Sequence, residues 1–356
     1  MTIKDVARAA NVSPSTVSNL LNGRGERMTA ETRARIEQAM AELGYRPSRV
    51  ARSLRTGQPT AIGLVVPSVA NPFWGSWAHL LEAEAMRHGQ QVLLCNSERD
   101  LDRERAYVEE LWASGVRAVV LGSSLPSLHH LDSALRDGLT LLAFDREVQG
   151  DDEDRVINLS VDNFAGGRMA TKHLLSLGHR RIGFITGATA TVSRRRRLAG
   201  YESALAEYRL SRSDDLIWVD DTGGFGDASP SELGHRGMLE LLDLRDPPTA
   251  VVTINDMYAL GACLALREVG MEAPAVSVVG FDDIVLAPLS NPPLTTIRQP
   301  MQAMAAHAVQ VLRDAEHGRV SSRSMVMAPT LVGRESTAAP TSAPYPRRPA
   351  HEAPAH

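Results

Sequence analysis

Cysteine is nearly absent: the 356 residues contain two, Cys95 and Cys263, too few for a disulfide framework or a cysteine-rich metal site. Both sit in apolar segments and are expected as buried filler. No apolar run approaches the roughly 18 residues a membrane span needs. The N-terminus lacks a basic segment followed by an apolar stretch, so no secretory signal is expected and a cytoplasmic location follows. Leucine heptads of the kind that build coiled coils are missing beyond Arg334, where the chain turns rich in Ala, Pro and Ser. His351, Glu352 and His356 lie among those prolines at the wrong spacing for a zinc-binding helix, so no metal site is expected. Gly183-Phe-Ile-Thr-Gly-Ala-Thr falls short of a dinucleotide-binding glycine pattern, which counts against a cofactor-dependent enzyme.

What is present is a chain with 43% hydrophobic residues, enough for two or three domains with real cores. Its formal charge of −4 is unevenly spread. Residues 1–60 hold ten Lys and Arg against five Asp and Glu, net +5, and the remainder holds 28 against 37, net −9. A basic head gains affinity for DNA through counterion release, and an acidic body is repelled by the duplex. Arg33 and Arg35 either serve this purpose or merely solvate a helix face.

Residues 2–23 predict two short helices about a tight turn, the geometry that places a helix in the DNA major groove. Thr2 can cap the first with Asp5 three residues on, and Ser13 can cap the second with Pro14 at its first position. Gly23 supplies a stop. Val6, Ala10, Val17, Leu20 and Leu21 recur at spacings that bury one face of each helix. A third helix is predicted from Thr29 to Leu43, with Ile36, Met40 and Leu43 closing a core too small for more than marginal stability. Residues 47–60 have helical character but few apolar residues. They read either as a helix that orders only when held, with Leu54 as a wedge for a minor-groove step, or as an ordinary linker.

From Ile62 onward, apolar runs at 62–66, 92–95, 118–121, 139–144, 182–186, 250–254 and 276–281 alternate with helix candidates at 73–88, 103–114, 164–177, 198–208 and 256–269. This alternation predicts two doubly wound α/β halves with parallel sheets. In such folds, ligands bind beyond the carboxyl ends of the strands. Those loops carry Asn71, Phe73, Trp74, Trp77, Asp145, Asn255, Asp256, Asp282 and Asp283, and aromatic faces with carboxylates suit a polyhydroxylated ligand. Each also has a plainer reading as a helix cap or core aromatic, and Asp256 is assigned as a cap. Of the run Ser193-Arg194-Arg195-Arg196-Arg197, one guanidinium is expected to point into the cleft and the others into solvent.

The motifs Ile-Lys-Asp-Val-Ala, Val-Ser-Pro-Ser-Thr-Val-Ser, Leu-Gly-Tyr-Arg-Pro, Ala-Arg-Ser-Leu-Arg-Thr, Asn-Pro-Phe, Leu-Gly-His-Arg-Arg-Ile, Val-Ser-Val-Val-Gly-Phe-Asp-Asp and Pro-Pro-Leu-Thr-Thr-Ile occur in this order. With them, the chain resembles the LacI/GalR family of bacterial transcription regulators over residues 2–335. The resemblance implies a helix-turn-helix head over 1–46, a hinge helix and linker over 47–60, and a periplasmic-binding-protein-like body over 61–335. The body divides into 61–161 with 293–324, and 162–292 with 325–335; residues 336–356 form a disordered tail. It implies a homodimeric repressor on a palindromic operator, with Leu54 prying open the central minor groove. A small molecule, a sugar or derivative, then alters operator affinity from the interdomain cleft. Matching base-reading positions are Pro14, Ser15 and Asn19, and matching phosphate contacts include Thr16, Ser18 and Asn22. Thr2, Arg24, Tyr45, Arg49, Ala51 and Arg55 complete the DNA-facing set. Asn19 departs from the Arg of many relatives, and Asn favours adenine where Arg grips guanine. In the cleft, Phe73 and Trp74 match stacking groups, Asp145 and Asp282 hydroxyl acceptors, Arg197 the ligand-facing guanidinium and Asn255 an amide contact. Phe225, in the Gly-rich stretch 221–231, is a candidate aromatic. No cofactor, metal or membrane partner is implied.

Overall fold

The computed structural model describes residues 1–21, 28–45, 61–150, 152, 156–220, 229–319 and 322–341, and divides into two units, Met1–Thr60 and Ala61–His356.

In the first unit, α1 (Ile3–Ala9), α2 (Pro14–Leu21) and α3 (Ala30–Glu42) enclose a core of Val6, Ala7, Ala10, Val17, Ile36 and Ala39. Asp5 Oδ2 accepts from the Thr2 backbone N–H at 2.8 Å and from the Thr2 hydroxyl at 2.9 Å. Ser13 Oγ accepts from the Thr16 N–H at 3.1 Å, satisfying an orphan donor at the start of α2. Asn11 takes the left-handed conformation that turns the chain between α1 and α2, at φ 51°, a region Asn tolerates better than most residues. Gly23 and residues 46–60, including the hinge, lie outside the described residues.

The second unit holds two six-stranded sheets. In order along the first sheet lie β11 (Ser324–Met327), β5 (Val156–Val161), β4 (Thr140–Phe144), β3 (Ala118–Leu121), β1 (Ala61–Val66) and β2 (Gln91–Asn96). Along the second lie β12 (Thr330–Val332), β10 (Thr295–Arg298), β9 (Ser277–Asp282), β8 (Ala250–Thr253), β6 (Ile182–Thr186) and β7 (Ile217–Val219). All pairings are parallel except that of β10 with β12. Because strands buried on both faces need no alternation, they read as continuous Val, Ile and Leu runs. The helices are α4 (Pro72–Arg87), α5 (Leu101–Ala113), α6 (Asp132–Arg136), α7 (Asn163–Ser176), α8 (Val192–Glu207), α9 (Pro230–Leu242), α10 (Asp256–Glu268) and α11 (Met301–Glu316). A buried core runs continuously from Ile62 and Trp77 through Phe144 to Phe184 and Phe281, linking both halves.

The chain crosses between halves at different points from those expected. Residues 295–298 pair with β9 in the second sheet, and 325–327 pair with β5 in the first. Hydrophobic pattern alone does not specify a partner strand, so the expected divisions at 293 and 324 shift to about 299 and 328. The expected disordered tail also begins too early. Ser336 is fully buried, its hydroxyl accepting from the Thr295 N–H at 2.8 Å and donating to the Val278 carbonyl at 2.7 Å, and the Ala338 carbonyl lies 2.8 Å from His179 Nε2. Residues 342–356 lie outside the described residues. Among the described residues no helix is long and apolar enough to cross a membrane, and no His, Cys, Asp or Glu cluster could hold a metal. Cys263 is buried as expected, whereas Cys95, on the edge strand β2, is only half-buried.

Candidate functional site

Two groups of predicted residues occupy the two units. On α2, Val17 points into the head core while Pro14, Ser15 and Asn19 are exposed and Thr16 and Ser18 half-buried. Ser15, Ser18 and Asn19 share one helix face by their spacing of three and four. The Ser13 hydroxyl lies 2.6 Å from that of Ser15 and 2.8 Å from that of Thr16, holding this edge of polar groups together. Thr2 is exposed, and half-buried Tyr45 packs against the head core. Asn22, Arg24, Arg49, Ala51, Leu54, Arg55 and Phe225 lie outside the described residues.

In the body, Phe73, Trp74, Asp145, Arg197, Asn255 and Asp282 all line one cavity of about 50 Å³ between the two sheets. Each lies at a strand's carboxyl end or on the loop or helix that follows it. Asn71 Oδ1 accepts from the Phe73 N–H at 3.0 Å, starting α4 so that Phe73 and Trp74 face inward. Gly122 follows β3, where a Cβ would fall 2.6 Å from the Trp74 ring, so only glycine accommodates this indole. Asp145 follows β4 and Asp282 ends β9, with φ 59° and 117°, left-handed values that cost a non-glycine residue of order 1–3 kcal/mol and cluster at ligand sites. Asn255 Oδ1 caps α10 by accepting from the Tyr258 N–H at 3.1 Å, leaving its amide nitrogen to the cavity.

Arg197 is the centre. Its Nε donates to Asn163 Oδ1 at 2.7 Å, Nη1 donates to the Ile254 carbonyl at 2.6 Å, and the guanidinium carbon lies 3.6 Å from the Phe281 ring centroid. Nη2 stands 3.9 Å from both Asp145 Oδ2 and Asp282 Oδ1. These distances are too long for direct hydrogen bonds. The pattern of one donor group between two carboxylates is ready for a ligand carrying hydroxyls that both donate and accept. Burial pushes the Asp282 carboxyl up to about 7; Arg197 and a 2.8 Å hydrogen bond from Gln299 Nε2 pull it down, and Asp145 adds a small upward push.

Several lining residues lie outside the set the resemblance assigned to the cleft. Gln299, Ser124, Thr191, Ser193, Arg194 and Arg99 also face the cavity. Gln299 is 4% exposed and its Oε1 is buried without a hydrogen-bond partner, which marks an acceptor awaiting a donor. Three expectations change. The arginine run sends two guanidiniums inward, since Arg194 is buried like Arg197 and donates to the Ala188 carbonyl at 2.9 Å. Thr191 caps α8, so this helix begins six residues earlier than expected. Asp256 is no cap: it is wholly buried, accepting from Thr296 Oγ1 at 2.5 Å and from the Ile284 N–H at 2.8 Å, and burial holds its carboxyl well above the usual range.

Direct bonds also bridge the two halves. Ser124, after β3, accepts the Val192 N–H on its carbonyl at 2.7 Å and the Ser193 N–H on its hydroxyl at 3.0 Å, while Glu147 pairs with Arg196 at 3.0 Å.

Comparison with known proteins agrees with both units. Residues 2–48 match the model of bacterial regulatory proteins of the lacI family, and residues 171–337 match a periplasmic binding protein-like domain. The HTH-type transcriptional repressor PurR of Aliivibrio salmonicida is 34% identical over 342 residues, covering 94% of this chain and 98% of its own. Among solved structures, the lac repressor dimer bound to operator and the anti-inducer ONPF is 29% identical. Its TM-score is 0.80, with 95% of this chain and 99% of that chain covered. The transcriptional regulator CelR in complex with cellobiose is also 29% identical, with a TM-score of 0.67 and coverage of 94% and 99%. The chain therefore belongs to the lacI family of bacterial transcription regulators, with a helix-turn-helix head and a periplasmic-binding-protein-like body of two α/β halves.

Proposed function

We propose that this regulator is a cytoplasmic repressor that binds a palindromic operator as a dimer and is switched by a carbohydrate or carbohydrate derivative held in the cleft. The observation that carries the effector reading is the buried Arg197 guanidinium standing 3.9 Å from each of two carboxylates, Asp145 and Asp282, with Phe73 and Trp74 in the same wall. A sugar's hydroxyls donate to the carboxylates and accept from the guanidinium, while an aromatic edge covers its apolar face. The similarity to a regulator in complex with cellobiose supports the carbohydrate class, and similarity to a repressor dimer on its operator supports the DNA reading.

Coupling follows from volume. The cavity of about 50 Å³ is far below the roughly 300–1,000 Å³ of small-molecule sites. An effector enters only if the two halves move, so binding selects a more open arrangement of the halves. The head reads DNA through Pro14, Ser15 and Asn19, with Thr16 and Ser18 on phosphates. The hinge, residues 47–60 with Leu54 as the minor-groove wedge, transmits the change.

Arg197→Ala is the test. A thermal-shift screen of sugars on the full-length protein finds the effector, since about 100 times the dissociation constant adds roughly 2.7 kcal/mol to stability. The variant should keep operator affinity in gel shift yet lose the effector's influence on it. A variant that still responds as the parent does removes Arg197 from the pocket.

A further inference from the structure

Outside the Arg197 cavity lies a second, larger one of about 520 Å³, lined among others by Asn96, Glu98, Arg99 and Pro230. It adjoins the first, because Asn71, Trp74, Arg99 and Asn255 line both. Its volume falls within the range of about 300–1,000 Å³ typical of small-molecule sites. The two differ in kind: the inner cavity must be opened before a sugar ring fits, whereas the outer one already has room.

Arg99 sits at the junction on a turn built to present it. Glu98 and Arg99 are consecutive left-handed residues with φ 54° and 59°, two strained positions that persist only where the surroundings fix them. Here the surroundings do so. Ser97 is buried, its hydroxyl donating to the Val66 carbonyl at 3.2 Å and accepting the Arg99 N–H at 3.3 Å. The Asp100 N–H donates to the Ser97 carbonyl at 3.0 Å, and Asp100 Oδ1 caps α5 through the Arg103 N–H at 2.9 Å. Glu98 pairs with Arg103 at 2.5 Å. Arg99 is thus carried by a well-braced loop of the first half and lines the outer cavity together with Pro230 and Asn255 of the second.

We infer that the effector is a two-unit carbohydrate, a disaccharide, with one ring on Arg197 and the second in the outer cavity, and that Arg99 determines specificity for the second ring. This rests on the carbohydrate reading of the cleft. Polar groups on both sides with Trp74 at the junction match the mixed polar and apolar surface of a sugar, and a ring there touches both halves, so it contributes to the switch.

Titration calorimetry on the full-length protein tests this with glucose, galactose, cellobiose, lactose, maltose and trehalose. The proteins are the parent, Arg99→Asn, which keeps a residue tolerant of the left-handed backbone, and Arg197→Ala. A disaccharide should bind at least 10-fold more tightly than its constituent monosaccharide. Arg99→Asn should remove about 10-fold of the disaccharide's affinity and none of the monosaccharide's, and Arg197→Ala should abolish both. Equal affinity for monosaccharide and disaccharide, or equal loss of both in Arg99→Asn, overturns the two-unit inference and leaves the carbohydrate reading standing. Silence across the whole panel overturns both.

Discussion

At the scale of single residues, Asp282 joins the cleft's chemistry to the protein's stability. Its carboxyl rises from 3.8 to about 7 on folding, chiefly through burial. Between those values the folded chain keeps a proton that the unfolded chain has released, so stability falls as pH rises through this window and levels off above it. At about 1.4 kcal/mol per unit the group accounts for a change of order 4 kcal/mol. Asp256, also raised, acts in the same sense, whereas buried His179 and half-buried His173 and His307, held low by desolvation, contribute stability that grows with rising pH. The difference between parent and variant isolates Asp282. Asp282→Asn retains an acceptor for Gln299 and tolerates the left-handed backbone, so urea unfolding should show its stability gaining on the parent's from pH 4 to 7 and the gain levelling off by pH 8. A difference that does not vary with pH would show that Asp282 titrates normally.

At the scale of elements, α7 and α8 touch backbone to backbone, and this contact seats Arg197. A Cβ at Gly200 would lie 2.2 Å from the Phe164 carbonyl oxygen, and one at Gly167 would lie 2.1 Å from the Arg197 carbonyl oxygen. Neither obstacle is a side chain that can swing away. Gly200→Ala must push the helices apart, at a cost expected at or beyond the upper end of the 1–3 kcal/mol typical of overpacking, and it should weaken effector binding with it. An exposed control such as Gly75→Ala within α4, where a Cβ meets nothing within 4 Å, should not lower the denaturant midpoint, alanine being the better helix former, and should leave binding unchanged; a midpoint fall of similar size in both variants would refute the close-packing argument. Element-level legibility in the sequence was uneven for physical reasons. Central strands announce themselves because both faces are buried, and helices because they end at glycines. The short strands β7, β10, β11 and β12 have three or four residues each and no distinctive pattern. Missing β10 meant missing Gln299, although the rule that sites lie past strand carboxyl ends would have found it. Arg194 was missed because four adjacent arginines resemble a solvated face, and only the cap at Thr191 decides which two turn inward. The six cleft residues were legible through the resemblance, since residue type alone left caps and core aromatics as competing readings.

At the scale of the whole molecule, the two units differ in how much they bury. The head closes on six buried side chains, while the body has a continuous core through two sheets with a satellite on the first. Small domains bury too little apolar surface for more than marginal stability, so the head should melt first. The chain carries its own means of separating the events: all four tryptophans, Trp74, Trp77, Trp112 and Trp218, lie in the body, whereas α1, α2 and α3 contribute to far-ultraviolet circular dichroism. Heating should therefore lower the helical signal before tryptophan fluorescence changes. A non-specific duplex oligonucleotide at low salt is a sufficient probe for assigning the early phase, because the net charge of +5 on residues 1–60 confers sequence-independent affinity. Duplex at about 100 times its dissociation constant should stabilise the early phase by roughly 2.7 kcal/mol and leave the tryptophan transition where it was. A small-molecule effector should do the reverse, raising the tryptophan transition alone. Superimposable melts by the two signals, with and without duplex, would mean that head and body unfold as one cooperative unit.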